Sequence, residues 1–235
     1  VVGFALIIML LLIFLLPGVK PQAKSSGPAV SSSAQASSAS ELDARMADAR
    51  KQNSDVVAWL TIPGTDVDDP VVQAADNDYY LRRTWLGESD VWGCYFLDYE
   101  CNIREKASLD KVSIIYGHSL EDSKDDKNFS QIKRWEDAEF AAQNPTFTLR
   151  LTDGTLTTWQ VFAASKVPVE GENAVYYLDP NPDEAAYSAL LDTLRAASAK
   201  NFDSVEVSAQ DKILILSTCT SDDIVRFVLC AKLVG

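Results

Sequence analysis

The chain contains one histidine, His118, so any mechanism in which an imidazole moves a proton must use it. It follows an apolar run, Ile114-Ile115-Tyr116-Gly117-His118-Ser119, where a glycine interrupts the strand pattern. The ring therefore falls at the rim of a core, where strand ends and loops carry chemistry. Cys219 closes a second run, Ile213-Leu214-Ile215-Leu216-Ser217-Thr218-Cys219. Four consecutive large aliphatics read as a strand buried on both faces. Polarity enters only at its C-terminal end, where Ser217 and Cys219 share one face and Leu216 and Thr218 the other. A thiolate at such a position is a nucleophile, and an imidazole can exchange protons with it or with a leaving amine. Taken singly, each residue has a plainer reading: a surface-loop histidine and a small buried thiol.

Six residues separate Arg226 from Cys219, and Arg226 lies inside Val225-Arg226-Phe227-Val228-Leu229-Cys230-Ala231. A short connection between two apolar strands predicts an antiparallel hairpin, which brings a guanidinium near the sulfur at one end of the sheet. Arginine in so apolar a strand is costly without an anionic partner or a task. Asp222 or Asp223 in the connecting loop offers the first, and a substrate backbone or developing oxyanion the second.

The elements that must hold these residues are mostly short strands. Val57–Ile62 ends at the turn signal Pro63-Gly64, and Val71–Ala74, Gly93–Asp98 and Val112–Tyr116 follow. Thr146–Leu151 and Leu156–Val167 flank Asp153-Gly154, a hairpin signal. Asp211–Thr218 and Val225–Val234 close the chain. An N-terminal helix is expected from the capping pattern of Ser40 and Asp43, with Leu42, Met46 and Ala49 on one face. A later helix is expected with Asn181 as its cap and Pro182 at its first position, and with Tyr187, Leu190, Leu191 and Leu194 at helical spacing. About eight strands with few helices predict a mostly-β barrel decorated by helices.

Composition bounds the function. A net charge of -13 repels phosphate backbones, and no basic stripe with interleaved aromatics is present, so nucleic acid is not an expected partner. Cys94, Cys101, Cys219 and Cys230 form neither a CxxC pair nor a zinc-type pattern; Cys94 and Cys101 are close enough in sequence to bridge across a hairpin. No metal site is expected, and Glu121-Asp122 and Asp125-Asp126 read as solvated loop charges. Residues 1–19 are an uncharged apolar run, long enough to span a bilayer core, with a cleaved signal peptide as the alternative. Residues 20–39 are rich in Ser, Ala, Pro and Gly and read as a flexible tether. Residues 40–235 then form one folded domain.

Leu216-Ser217-Thr218-Cys219, with Tyr116-Gly117-His118 upstream and Arg226 downstream, resembles the signature of sortases, the transpeptidases that attach surface proteins to the Gram-positive cell wall. Trp59-Leu60-Thr61-Ile62-Pro63-Gly64-Thr65, Pro70-Val71-Val72-Gln73, Asn77-Asp78-Tyr79-Tyr80-Leu81 and Gly93-Cys94-Tyr95-Phe96-Leu97-Asp98 look like the class B branch. The N-terminal helix and the helix at 182–199, before the cysteine strand, are similar to that branch too. The sequence departs from the family motif at Ile215, where threonine is frequent, and in the short loop from Cys219 to Arg226.

This resemblance runs over nearly all of residues 40–235 and implies a closed eight-stranded barrel with Cys219, His118 and Arg226 converging at one end. It implies a cysteine transpeptidase that cleaves a C-terminal sorting signal of surface proteins through a thioacyl intermediate and passes them to a cell-wall amine. The alternative is a pilin-polymerising enzyme whose acceptor is a pilin lysine amine. Catalytic roles are expected for His118, Cys219 and Arg226, and substrate contacts for Ser217 and Thr218, with no cofactor. The expected location is the cell membrane, with residues 1–19 as a single-pass anchor and the catalytic domain extracellular.

Overall fold

The computed structural model describes residues 32–119, 127–172, 174–175, 177–198, 202–220 and 224–235. Eight strands close into one barrel: β1 (Val56–Thr61), β2 (Asp68–Val72), β3 (Tyr95–Leu97), β4 (Val112–Tyr116), β5 (Thr146–Leu151), β6 (Leu156–Pro168), β7 (Ile213–Cys219) and β8 (Val225–Leu233). Around the barrel the order is β1-β2-β3-β4-β7-β8-β6-β5. β2 with β3 and β4 with β7 run parallel, and the other neighbours antiparallel. A parallel pair needs a long crossover. The first crossover carries residues 73–94 and the second carries everything between β4 and β7. Closure leaves no unpaired edge.

The barrel is filled by large apolar side chains. Trp135, Trp159, Phe129, Phe147, Phe162 and Phe227 are all fully buried. Ile213, Leu214, Ile215 and Leu216 are completely buried as well, as expected of a strand covered on both faces. Asp153 and Gly154 form the turn between β5 and β6, closed by the Gly154 amide on the Leu151 carbonyl at 3.1 Å.

Helix α1 (Ser32–Gln52) seats Met46 and Ala49 against Val56, Trp59, Val72, Tyr80 and Phe96, with Leu42 at the margin. Burying a methionine side chain contributes about 1.5–3 kcal/mol. The helix begins at Ser32, ahead of the expected cap at Ser40, because the Ser/Ala stretch before it has enough alanine to extend a helix already docked downstream. Residues 32–39, read above as part of a tether, therefore belong to α1, while 20–31 lie outside the described residues.

The membrane location needs correction. Among the described residues no helix is long and apolar enough to cross a membrane. The 21-residue α1 has the length, but it carries Glu41, Asp43, Arg45, Asp48, Arg50 and Lys51. An Asp, Lys or Arg at a bilayer centre costs about 2.5–3.5 kcal/mol. Residues 1–19, read as the anchor, lie outside the described residues, so nothing in the described structure carries the expected single-pass placement.

Two shorter helices follow, α2 (Ala138–Gln143) and α3 (Glu184–Ala196). In α3, Tyr187, Leu190, Leu191 and Leu194 face the core as their spacing requires. Its cap is Asp183, whose side chain accepts from the Ala186 amide at 2.8 Å, rather than Asn181. Asn181 instead accepts from the Lys111 amide and donates to Asp110 at 2.8 Å, tying the helix approach to the start of β4. A nine-residue 3-10 segment, Asn128–Glu136, places Phe129, Ile132 and Trp135 in the core.

Candidate active site

Backbone register brings the chemistry-bearing residues to one end of the barrel. In the parallel pair of β4 and β7, Tyr116 lies opposite Ser217. His118 and Cys219 each follow two residues later, His118 just past the end of β4 and Cys219 as the last residue of β7. In the antiparallel pair of β7 and β8, Cys219 lies opposite Arg226. A cleft of about 280 Å³ opens there, lined by His118, Ser217, Thr218 and Arg226, with Asn77, Leu81 and Tyr116 on its other walls. A second cleft of about 270 Å³, reaching to Val175 and Tyr177, shares Tyr116 and Arg226 with it.

His118 is 8% exposed, and its Nε2 lies 2.5 Å from the carbonyl oxygen of Leu81. Burial lowers its pKa below the ordinary 6.5, and the nearby Arg82 charge lowers it further, against the raising effect of the Leu81 bond. The ring is thus neutral at pH above its ordinary value, a form whose bare nitrogen can accept a proton. Gly117 precedes it because a side chain there would collide with Phe129: a Cβ would stand 2.7 Å from Phe129 Cδ2. Next to His118, the Ser119 hydroxyl accepts from buried Lys133 Nζ and from Ser130 Oγ, each at 2.9 Å.

The walls of the cleft are fixed by a buried carboxylate. Asp98, 3% exposed, accepts from the Tyr116 hydroxyl at 2.8 Å and from Asn77 Nδ2 at 2.9 Å. Burial, and then the Asp98 charge, push the Tyr116 hydroxyl far above its ordinary range, so it stays a donor. Tyr177 and Ser217 share a hydrogen bond at 3.1 Å. Thr218 Oγ1 is buried with no hydrogen-bond partner among the described residues. Arg226 Nη1 donates to its neighbouring Val225 carbonyl at 3.3 Å, while Asp222 and Asp223, its alternative ionic partners, lie outside the described residues.

All five residues singled out from sequence thus gather at one end of the barrel: Ser217, Thr218, His118 and Arg226 on the cleft, and Cys219 in register with Arg226. Sequence reading missed Asp98 as a support, although a carboxylate directly after the apolar strand Tyr95–Leu97 was a signal. It gave no hint of Tyr177 or of the Leu81 carbonyl, which meet the site only through the fold. The three other thiols are free: Cys94 half-buried, Cys101 and Cys230 buried. The bridge considered for Cys94 and Cys101 does not form; instead Cys101 Sγ lies against the Val112 carbonyl at 3.7 Å.

A closed mixed barrel of eight strands, with a histidine just past one strand, a cysteine at the end of its parallel neighbour and an arginine across the hairpin, has the architecture of a sortase. No family model matches the chain. Over 200 residues it is 34% identical to the sortase B of Listeria monocytogenes, an alignment covering 83% of this chain and 76% of that protein. Over 187 residues it is 28% identical to the sortase B of Staphylococcus aureus, covering 78% and 72%. A solved Staphylococcus aureus sortase B–substrate complex superposes with a TM-score of 0.73 at 25% identity, over 86% of this chain and 91% of that one. The chain belongs to the sortase B family, and by that membership it is a cysteine transpeptidase.

Proposed function

We propose that residues 40–235 form the catalytic domain, with Cys219 as nucleophile, His118 as acid and base, and Arg226 as the donor to developing charge. The reading is supported above all by the double register: β4 on β7 sets His118 and Cys219 equally far past the Tyr116–Ser217 pair, and β7 on β8 aligns Arg226 with Cys219. The substrate is a surface protein carrying a C-terminal sorting signal, the class implied by kinship to a sortase B solved with its substrate.

The Cys219 thiolate attacks the scissile carbonyl carbon, and the electron pair of the C–N bond leaves with the amine, which takes a proton from His118 as imidazolium. A thioacyl enzyme remains. The incoming cell-wall amine then attacks the thioester, gives a proton to neutral His118, and releases Cys219 as thiolate. Arg226 presents a planar fork of N–H donors to the substrate backbone or the oxyanion. Ser217, held by Tyr177, and Thr218, with its unsatisfied hydroxyl, supply polar contacts to the bound peptide.

Incubation of the chain with candidate sorting peptides and a wall-type amine, followed by mass spectrometry, should yield a peptide–amine conjugate and a trapped thioacyl adduct on Cys219. A lysine-bearing pilin peptide as the competing acceptor reports which amine is preferred. Cys219→Ala should abolish both species; parental turnover by that variant would remove Cys219 from the mechanism.

A further inference from the structure

We propose that the backbone carbonyl of Leu81 is the acceptor that orients His118, and that Gly93 is a positioning residue because only a hydrogen in place of a side chain lets that carbonyl and the imidazole meet. The inference rests on His118 being the acid–base group.

A carbonyl oxygen carries lone pairs and no hydrogen, so the ring nitrogen facing it at 2.5 Å, Nε2, must bear the N–H. A neutral imidazole has one such hydrogen, which leaves Nδ1 as its bare nitrogen. Both proton transfers therefore run through Nδ1. As imidazolium it gives the Nδ1 proton to the leaving amine, and as imidazole it takes a proton at Nδ1 from the incoming one, while Nε2–H stays on Leu81. In this arrangement a neutral backbone dipole holds the ring where other cysteine and serine enzymes use a carboxylate or amide side chain.

The carbonyl is held in turn by its loop. Leu81 lies in the 3-10 turn Tyr79–Arg82. The returning arm is tied to that turn by Arg82 Nη1 on the Val91 carbonyl at 2.6 Å and by the Asp90 amide on the Arg82 carbonyl at 3.1 Å. Gly93 ends the returning arm with φ +58. A Cβ at this position would stand 2.7 Å from the Leu81 oxygen, 3.0 Å from the Tyr80 oxygen and 3.1 Å from His118 Cδ2. Two of these neighbours are main-chain atoms, which cannot swing aside as the end of a flexible side chain can. A methyl group at 93 must therefore displace the carbonyl, the ring or both. A glycine can also adopt the left-handed conformation without strain.

The single histidine makes the test direct, since ¹⁵N-labelled histidine in the whole chain reports one ring. At a pH where that ring is neutral, the spectrum should show the Nε2–H tautomer with a pyridine-type Nδ1. Gly93→Ala should mix the two tautomers and lower kcat for a sorting peptide about a hundredfold, the scale of a misplacement near 1 Å, with KM changed much less. Gly87→Ala is the control. It has the same left-handed backbone, at φ +86, in the same loop, but its Cβ would meet only the Tyr79 hydroxyl, at 3.6 Å. It should keep the parental tautomer and a kcat within about threefold, a difference worth about 0.65 kcal/mol. An Nδ1–H tautomer in the unmodified chain overturns the proposal, as does a Gly93→Ala chain with parental spectrum and kcat. If Gly93→Ala does not fold, the tautomer of the unmodified chain decides alone. Parental turnover by His118→Ala would instead sink the acid–base assignment, whatever tautomer is seen.

Discussion

Under α1, Arg45 lies over the Trp59 ring at 4.3 Å and pairs with Asp68 at 2.8 Å, while Trp59 Nε1 and Thr61 Oγ1 both donate to the same carboxylate at 2.9 Å. Around the cleft the residue types are similar, with an arginine, aromatic rings and a buried carboxylate, but their arrangement differs. Tyr116 and Asn77 donate to Asp98 behind the wall, whereas Ser217, Thr218, His118 and Arg226 line open volume. The first cluster ends on itself and fastens a helix to the barrel. The second has a closed support and an open front. A polar group that terminates on the protein contributes stability; one held at the edge of a cavity is available to a ligand.

The first way to test this contrast is thiol reactivity, where the expected effect is largest. Burial pushes the Cys94 and Cys101 thiols up to about 12, with nearby acidic charges adding to the shift, and burial pushes Cys230 higher still. At pH 8 the first two hold about one thiolate in 10⁴. A limiting dose of iodoacetamide on the native chain should therefore alkylate Cys219 well before the others, as read by peptide mapping. Equal labelling of Cys94 would place reactivity outside the open end of the barrel.

Next in size is Arg226→Lys, which keeps the charge and loses the planar fork. Transpeptidation should fall at least about a hundredfold with an unchanged melting curve, since one such donor is worth about 2.7–4 kcal/mol. If Arg226 only balanced a loop carboxylate, lysine would serve nearly as well, an exposed pair being worth about 0–1 kcal/mol. Activity within threefold of the parent would decide for that plainer role.

The matching change under α1 is Arg45→Ala. It removes a half-exposed ion pair and a cation–π contact and should cost about 1 kcal/mol of unfolding free energy in a denaturant titration. The kcat/KM of the folded enzyme should be unaffected. A loss of activity larger than the loss of folded protein would mean that the two clusters are coupled.

The smallest expected effect is a dependence of stability on pH that reports His118. Its folded pKa lies below its unfolded value of 6.5, with burial as the main cause. Above 6.5 both states hold the neutral ring and nothing is gained or lost. As pH falls through the window below 6.5, the unfolded chain binds the proton more readily, so folding weakens. Melting temperatures taken from about pH 7 down to pH 5 should show this decline in the parent and less of it in His118→Gln. Identical slopes in the two chains would contradict the burial of the ring.

Much of the fold was readable because its signals are local. The alternation and short apolar runs of eight segments mark strands wherever they later pair, and the four aliphatics before Ser217 mark a strand covered on both faces. The spacing of Leu42, Met46 and Ala49 marks the docked side of α1, although not its start. Sequence also singled out His118, Cys219 and Arg226, because only one histidine is present and because cysteine and arginine interrupt otherwise apolar strands. Beyond the convergence that the resemblance implied, what local patterning left undetermined is the detail of contacts between distant segments. The closing order of the barrel, the parallel seating of β4 on β7 that levels His118 with Cys219, the Asp98 support behind Tyr116, and the meeting of Leu81, Gly93 and His118 join residues tens of positions apart. No local propensity encodes such pairings. They follow from the requirement that strand edges be paired and buried backbone groups find partners at the same time, a condition that only the assembled barrel can meet.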